Sequence, residues 1–205
     1  MEITYLGLSC VRLRGRDADV LVDPLPAGAR APRLSPDIVV ATEGAAEPAL
    51  LRGAEGRPQT VRGPGEYELR GVRVDGIDAG GGVTIMRVEV DDVRVVAVGR
   101  LRGDLSEETV DAIGHVDVLA VPVGGGDALN AVEAARLVNA LEPAYVVPVR
   151  YAIEGIPGDF EPVERFAKEM GLAEGWTPQP KINLTGSVSN VEETRVVVLE
   201  ARLAG

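Results

Sequence analysis

The chain has 205 residues, 45% of them hydrophobic and 26% charged, which suits one globular domain spanning residues 1–205. Its formal net charge of -11, with lysines and arginines spread along the chain, argues against nucleic acid and anionic membranes as partners. Aromatic residues make up only 3%, so the core must be aliphatic and platforms for stacking bases are not expected.

The first half reads as short strands. Ile3 to Leu6, Val11 to Leu13 and Val20 to Val22 are separated by Gly and Asp turn signals, and Ile38-Val39-Val40 is the continuous apolar run of a strand covered on both faces. Residues 44–65 are rich in Gly, Ala and Pro and read as loop. Glu66 to Leu69, Val72 to Val74 and Val83 to Val90 alternate apolar with polar, as half-buried strands do, and Asp91-Asp92 is a hairpin turn before Val93 to Val98. The second half alternates strands with helices, which suggests sheets with helices outside them. Ser106 caps a helix with Glu107 and Glu108 in its first turn, ended by Gly114. Asp117 to Val121 is a strand. Asn130 and Glu133 form a capping box for a helix whose apolar face runs from Ala131 to Leu141. Tyr145 to Val147 is a buried strand, Glu161 to Met170 a helix, and Ile182 to Leu184 and Val196 to Leu199 are the last strands.

Cys10 is the one cysteine, so no internal disulfide forms. The N-terminus lacks the features of a signal peptide, and no apolar run approaches the ~20 residues of a membrane span. A cytoplasmic location is therefore expected. The single histidine, His115, follows a helix end, where a structural role is the default, and Cys10 on an apolar strand reads as a small core residue. The run Gly124-Gly125-Gly126-Asp127 lacks the Lys and Ser/Thr of a phosphate-binding P-loop and reads as a tight turn, with ligand contact as the alternative.

Several segments resemble the metallo-β-lactamase superfamily, and more narrowly its small bacterial branch of predicted zinc-dependent hydrolases, related to the ascorbate-phosphate lactonases. They are Ile3-Thr4-Tyr5-Leu6-Gly7 with Ser9-Cys10, Val22-Asp23-Pro24, Gly63 to Glu68 with Gly71-Val72, Val121 to Gly126, Val146 to Val149 and Glu192-Glu193-Thr194. The resemblance implies an α/β fold, a four-layer αββα sandwich with metal ligands on loops at one edge. The family's H-x-H-x-D-H signature falls on residues 43–48, where Glu43, Ala45 and Pro48 replace the histidines and Glu47 replaces the aspartate. The next ligand histidine belongs near Ala79 to Gly82, where only Asp78 and glycines are found. The bridging aspartate of a G-D pair is Arg100, and the histidine of P-x-H-Y is Arg150, before Tyr151.

Zinc requires about four thiolate, imidazole or carboxylate donors, and a guanidinium can be none of them. No zinc or other cofactor is therefore expected, although the family would use zinc. The residues assigned to the altered site are Glu43, Glu47, Asp78, Arg100, Arg150 and Tyr151. Pairing of Glu43 and Glu47 with Arg100 and Arg150 would close the cleft without metal. Alternatively, free arginines would hold a small anionic ligand, or Glu43, Glu47, Asp78 and Asp104 would make an oxygen-only metal site. The expected function is a non-catalytic binding, scaffold or regulatory role, as a homo-oligomer or beside an active paralogue. The alternatives are hydrolysis of a phosphorylated or lactone-type molecule and anion binding by Arg100 and Arg150.

Overall fold

The structure, a computed structural model, describes residues 1–26, 29, 32, 34–43, 58–172, 176–188 and 193–203. Two mixed β-sheets pack face to face. The first contains β1 (Glu2–Gly7), β2 (Cys10–Arg14), β3 (Asp19–Val22), β4 (Ile38–Ala41) and β5 (Gln59–Arg62), with β12 (Ile182–Asn183) on the far side of β1. The second contains β6 (Gly65–Leu69), β7 (Val72–Asp78), β8 (Thr84–Val90), β9 (Val93–Ala97), β10 (Val118–Pro122), β11 (Tyr145–Val149) and β13 (Arg195–Val196). Each sheet begins as an antiparallel meander and ends in parallel strands: β3, β4 and β5 in the first, and β9, β10, β11 and β13 in the second.

Alternation along the strands explains the packing. In the first sheet Ile3, Tyr5, Leu13, Val20, Val22 and Val40 join the second sheet in one continuous aliphatic core. The opposite face presents Leu6, Cys10, Leu21 and Val39, which pack with Leu25 in a separate small cluster. Cys10 is wholly buried there, and burial pushes its thiol far up, so it is a packing residue.

The described helices are α1 (Glu107–Ile113), α2 (Ala131–Leu141) and α3 (Val163–Glu169); α1 packs near β7, and α2 packs on β10 and α3. Ser106 Oγ accepts the Thr109 N–H at the start of α1, and Gly114 ends it at φ 63°. Both halves of the Asn130–Glu133 capping box are present at α2. Asp91 and Asp92 take φ of 53° and 63°, the left-handed pair of a type I′ hairpin turn.

Two expectations need correction. The stretch expected to be loop contains β5, a polar strand in which only Val61 is buried. The last strand is shorter than expected and covers only Arg195–Val196.

Candidate functional site

The parallel strands all end at one edge of the sandwich, and β1 ends there too because it runs antiparallel to β2, which is antiparallel to β3. Crevices beyond the carboxyl ends of parallel strands are where α/β folds place ligands. Here the edge gathers Leu8 and Ser9 after β1, Asp23 after β3, Thr42 and Glu43 after β4, Gly99 and Arg100 after β9, and Arg150 after β11, around a cavity of about 420 Å³.

Arg100 and Arg150 are both bound by carboxylates. The Arg100 Nε donates to both oxygens of Glu43, at 2.6 and 2.7 Å, and its Nη2 adds a third bond to Glu43. Its Nη1 donates to Asp127 Oδ2 at 3.0 Å. Arg150 grips the same Asp127 from the other side: Nε reaches Oδ1 at 3.0 Å, and Nη2 reaches Oδ1 and Oδ2 at 2.6 and 2.7 Å. The order Glu43–Arg100–Asp127–Arg150 therefore alternates in charge, sums to zero, and ties the loops after β4, β9, β10 and β11 together. The Arg150 side chain is 13% exposed and that of Arg100 47%, so the inner pair is the better shielded from water. Arg150 also packs its guanidinium 5.2 Å from the centre of the Phe160 ring. Burial pushes the Asp127 carboxyl up, but the bonds from Arg150 and Arg100 together outweigh it and hold the group below the usual carboxylate range.

Beside this chain sits Asp23. Its Oδ1 accepts the Thr42 N–H at 2.8 Å, and the Thr42 hydroxyl lies 2.9 Å from each carboxylate oxygen. Burial raises this carboxyl; Thr42 offsets part of the rise, Glu43 adds to it and Arg150 subtracts, leaving it pushed up to about 6. Thr42 is clamped from behind by Gly99, where an added Cβ would stand 2.1 Å from Thr42 Oγ1. Leu8, Asp23 and Arg150 adopt φ of 50°, 46° and 54°, so three non-glycine residues on this rim hold left-handed backbone. Such strain is kept where surrounding structure over-determines the chain, characteristically at functional edges. Ser9 Oγ is buried there without a hydrogen-bond partner among the described residues.

Of the residues expected at the site, Glu43, Arg100 and Arg150 come together. Glu47 lies outside the described residues. Asp78 does not join the network, because its Oδ1 accepts the Gly80 N–H at 2.9 Å within its own turn. Tyr151 points into the core instead: its hydroxyl donates to the Leu199 carbonyl at 3.1 Å and its ring lies 5.8 Å from that of Tyr5. Burial pushes its hydroxyl up to about 12, with Glu164 adding to the rise. Asp104 pairs with Arg136 on the surface. His115 is at the far end of the sheet, 3.1 Å from Asp117, a buried carboxylate that also accepts the Arg94 and Val188 N–H groups and the Ser187 hydroxyl.

Sequence reasoning missed Asp127, the residue both arginines share. The usable signal was an acid directly after a glycine turn at the carboxyl end of one parallel strand, with Arg150 ending the next.

These residues do not fit a dinuclear zinc centre. Such a site needs about four donors per ion within roughly 2.0–2.3 Å. Asp23, Glu43 and Asp127 already accept bonds from Thr42, Arg100 and Arg150, and two permanent cations stand among them. Among the described residues no group of three or more His, Cys, Asp or Glu is placed to hold an ion.

A profile of the beta-lactamase superfamily domain matches residues 2–150, and the chain belongs to that superfamily. Similar solved structures include a protein of the metallo-beta-lactamase superfamily from Thermotoga maritima described as a candidate zinc-dependent hydrolase. It is 24% identical with a TM-score of 0.81, over 97% of this chain and 98% of that one. A metallo hydrolase from the archaeon Ignicoccus hospitalis is 19% identical with a TM-score of 0.67, over 88% and 97%. The metallo-beta-lactamase fold protein YhfI from Bacillus subtilis is 11% identical with a TM-score of 0.64, over 98% and 97%. At these identities the likeness is one of fold. No curated protein matches the chain. Among the described residues no helix is long and apolar enough to cross a membrane.

Proposed function

We propose that this chain is a non-catalytic member of its superfamily, acting as a binding, scaffold or regulatory protein, alone or beside an active paralogue in the cytoplasm. The observation that carries the reading is the shared grip of Arg100 and Arg150 on Asp127, with Glu43 closing the other side. Two guanidiniums, +2 where two dications would carry +4, balance the two carboxylates and hold the loops in place. A guanidinium has no open coordination position and cannot generate hydroxide at neutral pH, which is what the family's catalysis requires of its metal.

The same geometry weakens the alternatives. An anion seated between Arg100 and Arg150 must first displace Asp127 from both. An oxygen-ligated metal must strip Glu43 and Asp127 of their arginines and bring them together. The test is hydrolysis of lactone and phosphodiester substrates by protein purified without chelator, with zinc, manganese or magnesium added, alongside thermal melts with and without EDTA. The reading expects no turnover above buffer and no change in melting. Metal-dependent turnover, removed by EDTA and restored by one ion, would contradict it.

A further inference from the structure

On the outer side of Arg100 lies a second cavity, of about 510 Å³, walled by Arg102, Leu101, the glycine turn between β7 and β8, and the outer faces of Glu43 and Asp127. Its size suits a small molecule. We propose that it binds a small polyanion through carboxylate or phosphoryl oxygens, with Arg102 and the Gly81–Gly82 backbone as the recognising groups.

The arginines at this edge differ in what they have left to offer. Arg100 and Arg150 spend their guanidiniums on Glu43 and Asp127. Arg102 uses only Nε, which donates to the Asp127 carbonyl at 3.0 Å; its two terminal nitrogens meet no acceptor among the described residues. The Nε bond fixes the side chain while the paired terminal nitrogens, the edge that fits an oxyanion bidentately, stay unpaired.

The glycine turn supplies a second, independent feature. The amides of Ala79, Gly80 and Val83 are taken by Val83 O, Asp78 Oδ1 and Gly80 O, but those of Gly81 and Gly82 have no acceptor among the described residues. Gly80, Gly81 and Gly82 hold φ of 76°, 62° and 82°, with nothing within 4 Å of where a Cβ would stand. The glycines are thus required by backbone conformation and leave the peptide open to close approach, and adjacent free amides in a turn favour anions.

The cavity lining is balanced in charge, Arg100 and Arg102 against Glu43 and Asp127, in a chain of net charge -11. Behind Arg102 a separate cavity is lined by Glu133, Asp159 and Glu161. Glu133 is held by the α2 cap and Glu161 pairs with Arg165, but the three acids disfavour an anion on that side. The ligand is therefore placed on the glycine side.

The inference rests on the metal-free reading, since a dication would claim Glu43 and Asp127, yet the two fail separately. Isothermal titration of the full chain at low salt, with pyrophosphate and citrate as probes and sodium chloride matched for ionic strength, tests it. One-site saturable binding of either probe is expected; which probe binds tells phosphoryl from carboxylate recognition. Arg102→Gln should weaken it about tenfold, the loss of one charge-assisted pair. Arg73→Gln, an exposed side chain at the opposite end of β7, should leave it unchanged. Absence of saturable binding by both probes, or unaltered affinity in Arg102→Gln, would overturn the inference. In a protein free of metal, that result would leave the proposed function standing.

Discussion

Replacing Asp127 by Asn keeps its size and removes the charge on which both arginines converge. The outer arm, from half-exposed Arg100, contributes little, since water replaces an exposed ion pair at a cost below about 1 kcal/mol. The inner arm differs. Arg150 is 13% exposed and Asp127 is its one carboxylate partner among the described residues, so the variant leaves a mostly buried guanidinium facing an amide. Removing one member of a buried pair costs about 3–5 kcal/mol, and because Asp127 itself is reached by water the low end, about 3 kcal/mol, applies. In a chain of this length that lowers the melting temperature by about 6–12 °C. Urea melts followed by circular dichroism read it as a shift in midpoint at constant slope. Asp127→Ala with Arg150→Met, which removes both charges and keeps the bulk of the arginine stem, should recover much of the loss. A change in Asp127→Asn below about 0.5 kcal/mol, the range of neutral surface substitutions, would show that the pairing does not hold the cleft and would refute this reasoning.

Asp23 gives a prediction of opposite sign. Its carboxyl is raised in the folded state, so the neutral form favours folding, and that stability is lost as pH rises through about 6. Asp23→Asn, which keeps an acceptor for the Thr42 amide, should match the parent near pH 4 and exceed it by about 2–3 kcal/mol at neutral pH; parallel stability curves would sink the assignment. Gly99→Ala combines φ of 57° with a Cβ 2.1 Å from Thr42 Oγ1 and should cost about 3 kcal/mol in urea melts, whereas Gly63→Ala, at φ of 74° in open space, should cost about 1. Asn130→Ala removes the α2 cap and should cost about 1 kcal/mol by the same melts.

How far the sequence foretold these features depended on whether each signal was local. Ser106, Asn130 and Glu133 act on amides three residues away, so the helix starts could be read directly. The paired aspartates at 91 and 92 announced their turn in the same way. β5 escaped because a parallel edge strand needs one buried residue, Val61, and its pairing with β4 is invisible from composition. At the cleft, the loss of imidazoles and the arrival of Arg100 and Arg150 were plain from residue types, but their partners were not. Glu43 was within the compared motif. Asp127 was not, because its role arises only when the turn after β10 is brought beside the end of β11. Tyr151 was placed at the site by adjacency to Arg150, yet the side chain turns into the core, where its hydroxyl finds the Leu199 carbonyl.

If guanidinium–carboxylate pairing replaces a metal centre here, the chain holds no stoichiometric ion. Elemental analysis of the full chain, produced in zinc- and iron-supplemented medium and purified without chelator, addresses it most directly. Sub-stoichiometric metal is expected, removed by dialysis without a change in the protein's stability. A tightly held ion in whole-number ratio to the chain, retained through dialysis and lost on substitution of Glu43 or Asp127, would contradict it.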